Sequence, residues 1–329
     1  MNTILDLFLI FNKFLDNLNS FFTFVLNLFY QNNTFMKKII SLFFVFVAIN
    51  VLAQDTITTY FDRHWNKTYS DKASYFRNAY LNKDLGLWVV KDYYIDGKIQ
   101  MEGLYLDKKL KKQTGEAVFY HYNGNISAKG QYSDGKKEGI WKYYYFNANI
   151  KQEGKMVSGK QDSLWNFYDR TGFFAGKAYF INDKEEGEST WYYPNGKIAE
   201  ELVYKKGKVK SKINYDENGT PIKIKEKDHF IDNVIVNNEK IPIMIYLKNN
   251  ITYPEELQAA GKEGNVLIHF VVRKDGSIES VKLAKADHPL FNKEVLRVVK
   301  MIQSFEPVFS HGMYREVDLF SPFNFRLTR

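Results

Sequence analysis

Gly139-Ile140-Trp141-Lys142-Tyr143-Tyr144-Tyr145, closing at Ser158-Gly159-Lys160, is the stretch whose reading sets the architecture of most of this chain. Short runs of six to eight residues mix aromatic and polar side chains between turn signals, as half-buried strands do. The same order returns outward in both directions. Gly86, Gly115, Gly139, Ser163, Gly187 and Ser211 align as starts of units; the last five stand 24 residues apart, and the first gap is 29 because of an insertion around Leu110–Gln113. Gly86-Leu87-Trp88 and Ser163-Leu164-Trp165 repeat the opening, while Phe119-Tyr120 and Trp191-Tyr192-Tyr193 repeat the aromatic run. A tight turn follows at Asp96-Gly97, Asn123-Gly124 or Asn195-Gly196, then Ile99, Ile126 or Ile198, and a second turn closes the unit at Asp134-Gly135-Lys136 or Lys206-Gly207-Lys208. Asn-Gly and Asp-Gly supply the positive φ that two-residue hairpin turns demand. Two turns per unit make each unit one hairpin, and a fixed period of this length signals a repeat fold whose units stabilise only their neighbours. The expectation is a mainly β, single-layer antiparallel meander over residues 86–227, with residues 54–85 as a lead-in. The pattern lapses at Asn147-Ala148, at Ser163 and Asp183 where glycines are due, and at Phe173-Phe174 in place of Lys-Ile.

This grammar resembles the MORN-type repeats (membrane occupation and recognition nexus) of bacterial secreted proteins. One set of Trp and Tyr side chains must pack between neighbouring hairpins as core. The opposite face, with Tyr144, Tyr192 and many Lys residues, is a candidate surface for glycan chains, lipid headgroups or protein, and the sequence does not choose among them.

After a segment read as a linker over 228–248, residues 249–329 change character. Tyr253-Pro254-Glu255-Glu256 opens a helix, with proline at the first turn and acids at its positive end. Gly264 to Val272 reads as a strand, Lys274-Asp275-Gly276-Ser277 as a turn, and Ile278 to Leu283 as the returning strand. His288-Pro289-Leu290 leads into a helix from Phe291 to Ile302 with an apolar stripe of Val295, Leu296, Val298 and Val299. A last strand runs from Glu316 to Phe325. These pieces, in this order, resemble the C-terminal domain of TonB, which implies a small α+β domain with a three-stranded antiparallel sheet and two helices. The resemblance also implies that the final strand is an open edge that pairs with an extended segment of an outer-membrane transporter. Carried over by position, the partner-binding edge is Tyr314, Arg315, Glu316, Val317, Asp318, Leu319 and Phe320.

Composition excludes several alternatives. The 329 residues carry a formal charge of +8, but Lys is spread among turns beside Asp and Glu, without the clustered Arg and aromatic pattern of a nucleic-acid binder. The chain has no Cys, which removes disulfides, thiolate metal sites and cysteine nucleophiles. Six His residues are scattered without metal-ligand spacing, and no nucleotide-binding or hydrolase motif occurs. His269 reads as filler on one face of its strand and His288 as a helix start. No cofactor, no metal and no enzyme activity are expected.

Met36-Lys37-Lys38, the apolar stretch to Leu52 and Ala53-Gln54 read as a secretory signal cleaved between Ala53 and Gln54, too short to span a bilayer comfortably. Residues 1–35 read as an over-extended start or a hydrophobic leader. The expectation is therefore a periplasmic scaffold that binds envelope proteins, with cell-wall or membrane-surface contact through the repeats. The alternative is a TonB-type energy transducer anchored in the inner membrane by a retained 36–53 segment.

Overall fold

Tight turns set the course of the chain. Gly97, Gly124 and Gly196, the second residues of the predicted hairpin turns, have φ of 88°, 89° and 82°. The computed structural model describes residues 55–327, so the leader and signal expected over 1–53 lie outside the described residues. Fourteen strands follow one another through these turns: β1 (Ile57–Phe61), β2 (Tyr75–Asn82), β3 (Leu87–Tyr94), β4 (Ile99–Tyr105), β5 (Gln113–Tyr120), β6 (Ile126–Ser133) and β7 (Lys136–Tyr144). The series continues with β8 (Ile150–Val157), β9 (Lys160–Tyr168), β10 (Phe174–Ile181), β11 (Lys184–Tyr192), β12 (Ile198–Lys205), β13 (Lys208–Tyr215) and β14 (Pro221–Ile222). They form one antiparallel sheet in strict sequence order, the expected meander. It begins before the first recognised unit, because β1 and β2 of the lead-in pair onto β3.

Five of the six units, all but the one at Gly86, open on a bulge. Gly115, Gly139 and Gly187 have φ of 65°, 69° and 71°, at places where the register with the preceding strand slips. An extra residue there bends the strand and deepens its twist. The lapses in the pattern change the residue but not the backbone: Ser163, Asp183 and Ala148 have φ of 61°, 67° and 72°.

Between strands the aromatic residues find slots. A Cβ on Gly154 would stand 2.3 Å from the Trp165 ring, and one on Gly130 would stand 2.4 Å from Trp141, so each indole lies across a glycine of the preceding strand. Both indoles are fully buried, and their Nε1 atoms donate to the carbonyls of Gln131 and Lys155. Neighbouring units are also tied at the turn end: Asn123 Nδ2 donates to Phe146 O at 2.8 Å, Asn147 Nδ2 to Arg170 O at 2.9 Å, and Asn195 Nδ2 to Glu217 O at 3.1 Å.

The C-terminal part comprises β15 (Asn233–Val236), β16 (Glu239–Pro242), α1 (Ile243–Asn250), α2 (Glu255–Ala259), β17 (Gly264–Val272), β18 (Ile278–Ala286), α3 (Pro289–Val299), β19 (Ser304–Phe305), β20 (Val308–Ser310), β21 (Met313–Arg315) and β22 (Val317–Phe325). The expected three-stranded antiparallel sheet has the order β18, β17, β22. Val266, Ile268, Phe270 and Val272 of β17 pack with Phe291, Val295 and Val298 of α3 in one core. His288 caps α3, its Nδ1 accepting from Leu290 N at 3.2 Å, with Pro289 at the first turn. The segment read as a linker is folded: β15 and β16 turn through Asn237 and Asn238, at φ 52° and 65°, and β15 pairs with β19. Val234 there, with Tyr246 and Leu247 of α1, enters the same core, so α1, which precedes the domain read over 249–329, joins the two helices expected in it. Meander and C-terminal part lie within one compact unit from Thr56 onward.

Candidate binding site where the array meets the C-terminal sheet

The face of β17 and β22 turned away from α3 is covered by the array. Tyr122, Phe146 and Arg170 hold the same place, at the first turn, in three successive units. Two of the three reach β22. Arg170 Nε donates to Asp318 Oδ1 at 3.1 Å, and its Nη1 donates to Glu316 Oε1 at 3.1 Å and lies 3.5 Å from Glu279 Oε1. The Phe146 amide points at Asp318 Oδ2 across 3.4 Å, and its ring stacks on His269 at 4.4 Å. Phe320 closes the patch, 4.8 Å from the His269 ring and 6.2 Å from His121. His121 donates through Nε2 to the Tyr144 carbonyl at 3.1 Å.

His269 is therefore more than sheet filler. It is 2% exposed, with Nε2 at 3.1 Å from Asp318 Oδ1 but out of line for a hydrogen bond. Burial pushes the Asp318 carboxyl up, yet His269, the Phe146 amide and Arg170 together hold it below the usual carboxylate value.

A second contact uses the hairpin of β20 and β21. Its turn residue His311, at φ 52°, stacks on Trp191 of β11 with ring centroids 3.6 Å apart. His311 Nδ1 lies 3.0 Å from Glu200 Oε2, and Lys212 pairs with the other oxygen of this carboxylate, which is 1% exposed. Burial raises the Glu200 carboxyl, but His311 and Lys212 outweigh it and hold it low. Burial holds the His311 imidazole below its usual value against the pull of Glu200, so at neutral pH Lys212 carries the counter-charge.

Between the two contacts opens a cleft of about 440 Å³. Tyr145, Tyr168, Phe174, Trp191 and Tyr192 of the array wall it on one side, and Tyr314, Arg315 and Glu316 on the other. The Arg315 guanidinium stands over Trp191 at 5.3 Å and donates through Nε to Ser310 O at 3.2 Å.

The seven residues expected as a partner-binding edge thus lie together but with unlike side-chain roles. Tyr314 is 43% exposed and its hydroxyl donates to Glu226 Oε2 at 2.9 Å. Arg315 enters the cleft, Glu316 and Asp318 are held by Arg170, Phe320 packs on the array, and Val317 and Leu319 pack on the helical core. The strand containing the last four begins at Val317, one residue later than read from sequence. Arg170, Phe146, His121 and Trp191 were not anticipated. One signal existed: Arg170 is the single Arg in the Lys-rich segment 86–227.

Comparison with known families agrees with the two parts. Residues 249–327 match the family described as Gram-negative bacterial TonB protein C-terminal. Residues 113–134 and 185–206, which coincide with the hairpins β5–β6 and β11–β12, match the MORN repeat variant. No curated protein matches the chain. The two families are not catalytic types, and together they mark a cell-envelope protein with a TonB-like domain.

Proposed function

We propose that this is a non-catalytic binding protein of the periplasm, exported with residues 36–53 removed after Ala53, whose C-terminal domain takes an extended segment of another envelope protein as a fourth strand beside β22. The partner chemistry that fits is the periplasmic stretch of an outer-membrane transporter. One observation carries this reading: β22 has β17 on one side and, among the described residues, no strand on the other. An open edge recruits a strand through its unpaired amides and carbonyls.

Two details refine it. Pro322 lacks an N–H and fits a sheet only where its nitrogen faces outward, so the continuous part of the edge is Val317 to Ser321. The array grips Asp318 and Phe320 from the face, not from the edge. A strand entering in the plane of the sheet meets a segment already ordered, which lowers the entropy lost on binding.

The test is photo-crosslinking in cells from a benzoylphenylalanine at Tyr314, with Ile140, 57% exposed on the array, as the comparison position. A discrete adduct with one envelope protein from position 314 and none from 140 is expected. Adducts from position 140 alone would move binding to the array and sink the reading.

A further inference from the structure

The cleft contains a cation without an anion. Four carboxylates lie within electrostatic reach of Arg315 or beside it in the chain, and each is committed elsewhere. Glu316 pairs with Arg170, and Glu200 is shared by His311 and Lys212. Asp169 Oδ1 accepts from the backbone of Thr171 and Phe173 inside its own turn. Asp228 faces Lys212 and the His311 amide. Among the described residues no carboxylate comes within ion-pair distance of Arg315, and its Nη2 is buried without an acceptor. Burial pulls this guanidinium below its ordinary value, only partly offset by Tyr145 and the surrounding acids. An unpaired buried charge is costly, and a protein that keeps one in a cleft holds a receptor for the opposite charge.

The surroundings specify more. Tyr145, Tyr168, Phe174 and Tyr192 offer an aromatic wall beside the guanidinium, and Lys151 and Lys274 stand at the same cleft. A volume of about 440 Å³ admits a pair of side chains rather than a folded partner. The cleft adjoins Val317, where the open edge begins.

We propose that this cleft receives an acidic side chain, Asp or Glu, carried two residues from an aromatic one, on the same face, by the strand that adds to β22, with Arg315 as the group that binds the carboxylate. The identity of the ligand as a strand rests on the proposed function. The recognition is charge-assisted, and the planar, always-charged guanidinium suits it better than a Lys ammonium would.

Titration calorimetry on the full chain in detergent tests it with Ac-Thr-Tyr-Thr-Glu-Thr-NH2, which puts Tyr and Glu on one face of the strand, and its Gln analogue. The Glu peptide should bind about tenfold or more tightly, the usual worth of a hydrogen bond to a charged group, and Arg315→Met should abolish the difference. Arg315→Lys should keep only part of it. Arg315→Met should melt no lower than the parent, because it removes an uncompensated charge; a marked fall in Tm with peptide discrimination intact would show an internal strut and overturn the proposal. Tighter binding of the Gln peptide with a free C-terminus would overturn the side-chain assignment. 3-Phenylpropionate, which cannot add as a strand, separates the two ideas. If it binds in an Arg315-dependent way and neither peptide does, strand addition is wrong and the carboxylate comes from elsewhere. If nothing distinguishes acid from amide, the cleft itself is misread.

Discussion

Ala148 shows what a single residue costs the repeat. It sits at φ 72° in a turn where the other units use glycine, and its amide still donates to Tyr145 O at 2.9 Å. A left-handed conformation costs a residue with a Cβ about 1–2 kcal/mol, partly offset by the smaller unfolded-state entropy of Ala. Ala148→Gly should therefore stabilise the protein by about 0.5–1 kcal/mol, read as a higher Tm; a lower Tm would mean that the turn is not strained. The array was legible from sequence even across such lapses, because the flanking units fix the register, but the local backbone at the lapsed turns was not. His269 was legible only as a strand residue. Nothing in its neighbourhood announces which face another part of the chain will cover, so its contact with Phe146, far away in sequence, was not.

At the scale of the element, the hairpins were readable and the fit between them was not. Gly154 is cross-strand neighbour to both Trp141 and Trp165, and it leaves the room in which Trp165 lies. Gly154→Ala puts a methyl 2.3 Å from that ring, where only a shift of strand or indole relieves it. Such overpacking costs about 1–3 kcal/mol, and a urea melt should show it as a lower midpoint; an unchanged midpoint would mean that the slot is loose. Gly130 and Gly154 precede Trp141 and Trp165 by the same interval, a pattern that turn signals overshadow. The four-residue strands β15 and β16 escaped notice for a related reason. They are too short for periodicity to register, and their Asn237-Asn238 turn was the only local mark of a hairpin.

For the whole molecule the decisive feature is the junction, and it is acid-sensitive. Burial keeps His121 low against the Tyr144 carbonyl and Asp318, with His269 and Lys151 adding to the depression. Burial likewise keeps His311 low against Glu200 and Asp228, with Arg315 adding to the depression. Both imidazoles start from an ordinary value of 6.5, so the unfolded chain takes up protons there before the folded one. The stability they contribute is complete above about pH 6.5 and declines as pH falls below it. Asp318 and Glu200, held low, add a further loss below about pH 4.5. His229 works the opposite way: burial pulls it down, but the carbonyls of Lys227 and Pro307 raise it overall. Calorimetric melts should show a lower Tm at pH 5.5 than at pH 7.5, with a smaller difference in His311→Phe, which keeps a ring on Trp191. An equal difference in that variant would remove His311 from the account. The junction also limits how this chain can change in length. Strands bonded only to their sequence neighbours would alone let whole units be gained or lost, but contacts to the C-terminal part run from Arg63, 3.7 Å from Glu263, and Tyr75, under Lys285 at 4.7 Å, to Trp191. Between Tyr75 and Trp191 there is no such freedom, because Tyr75, Phe146, Arg170 and Trp191 must meet fixed points on a second body. This interval is a gauge: an insertion of one unit within it would leave both halves well folded and the molecule unable to close on itself.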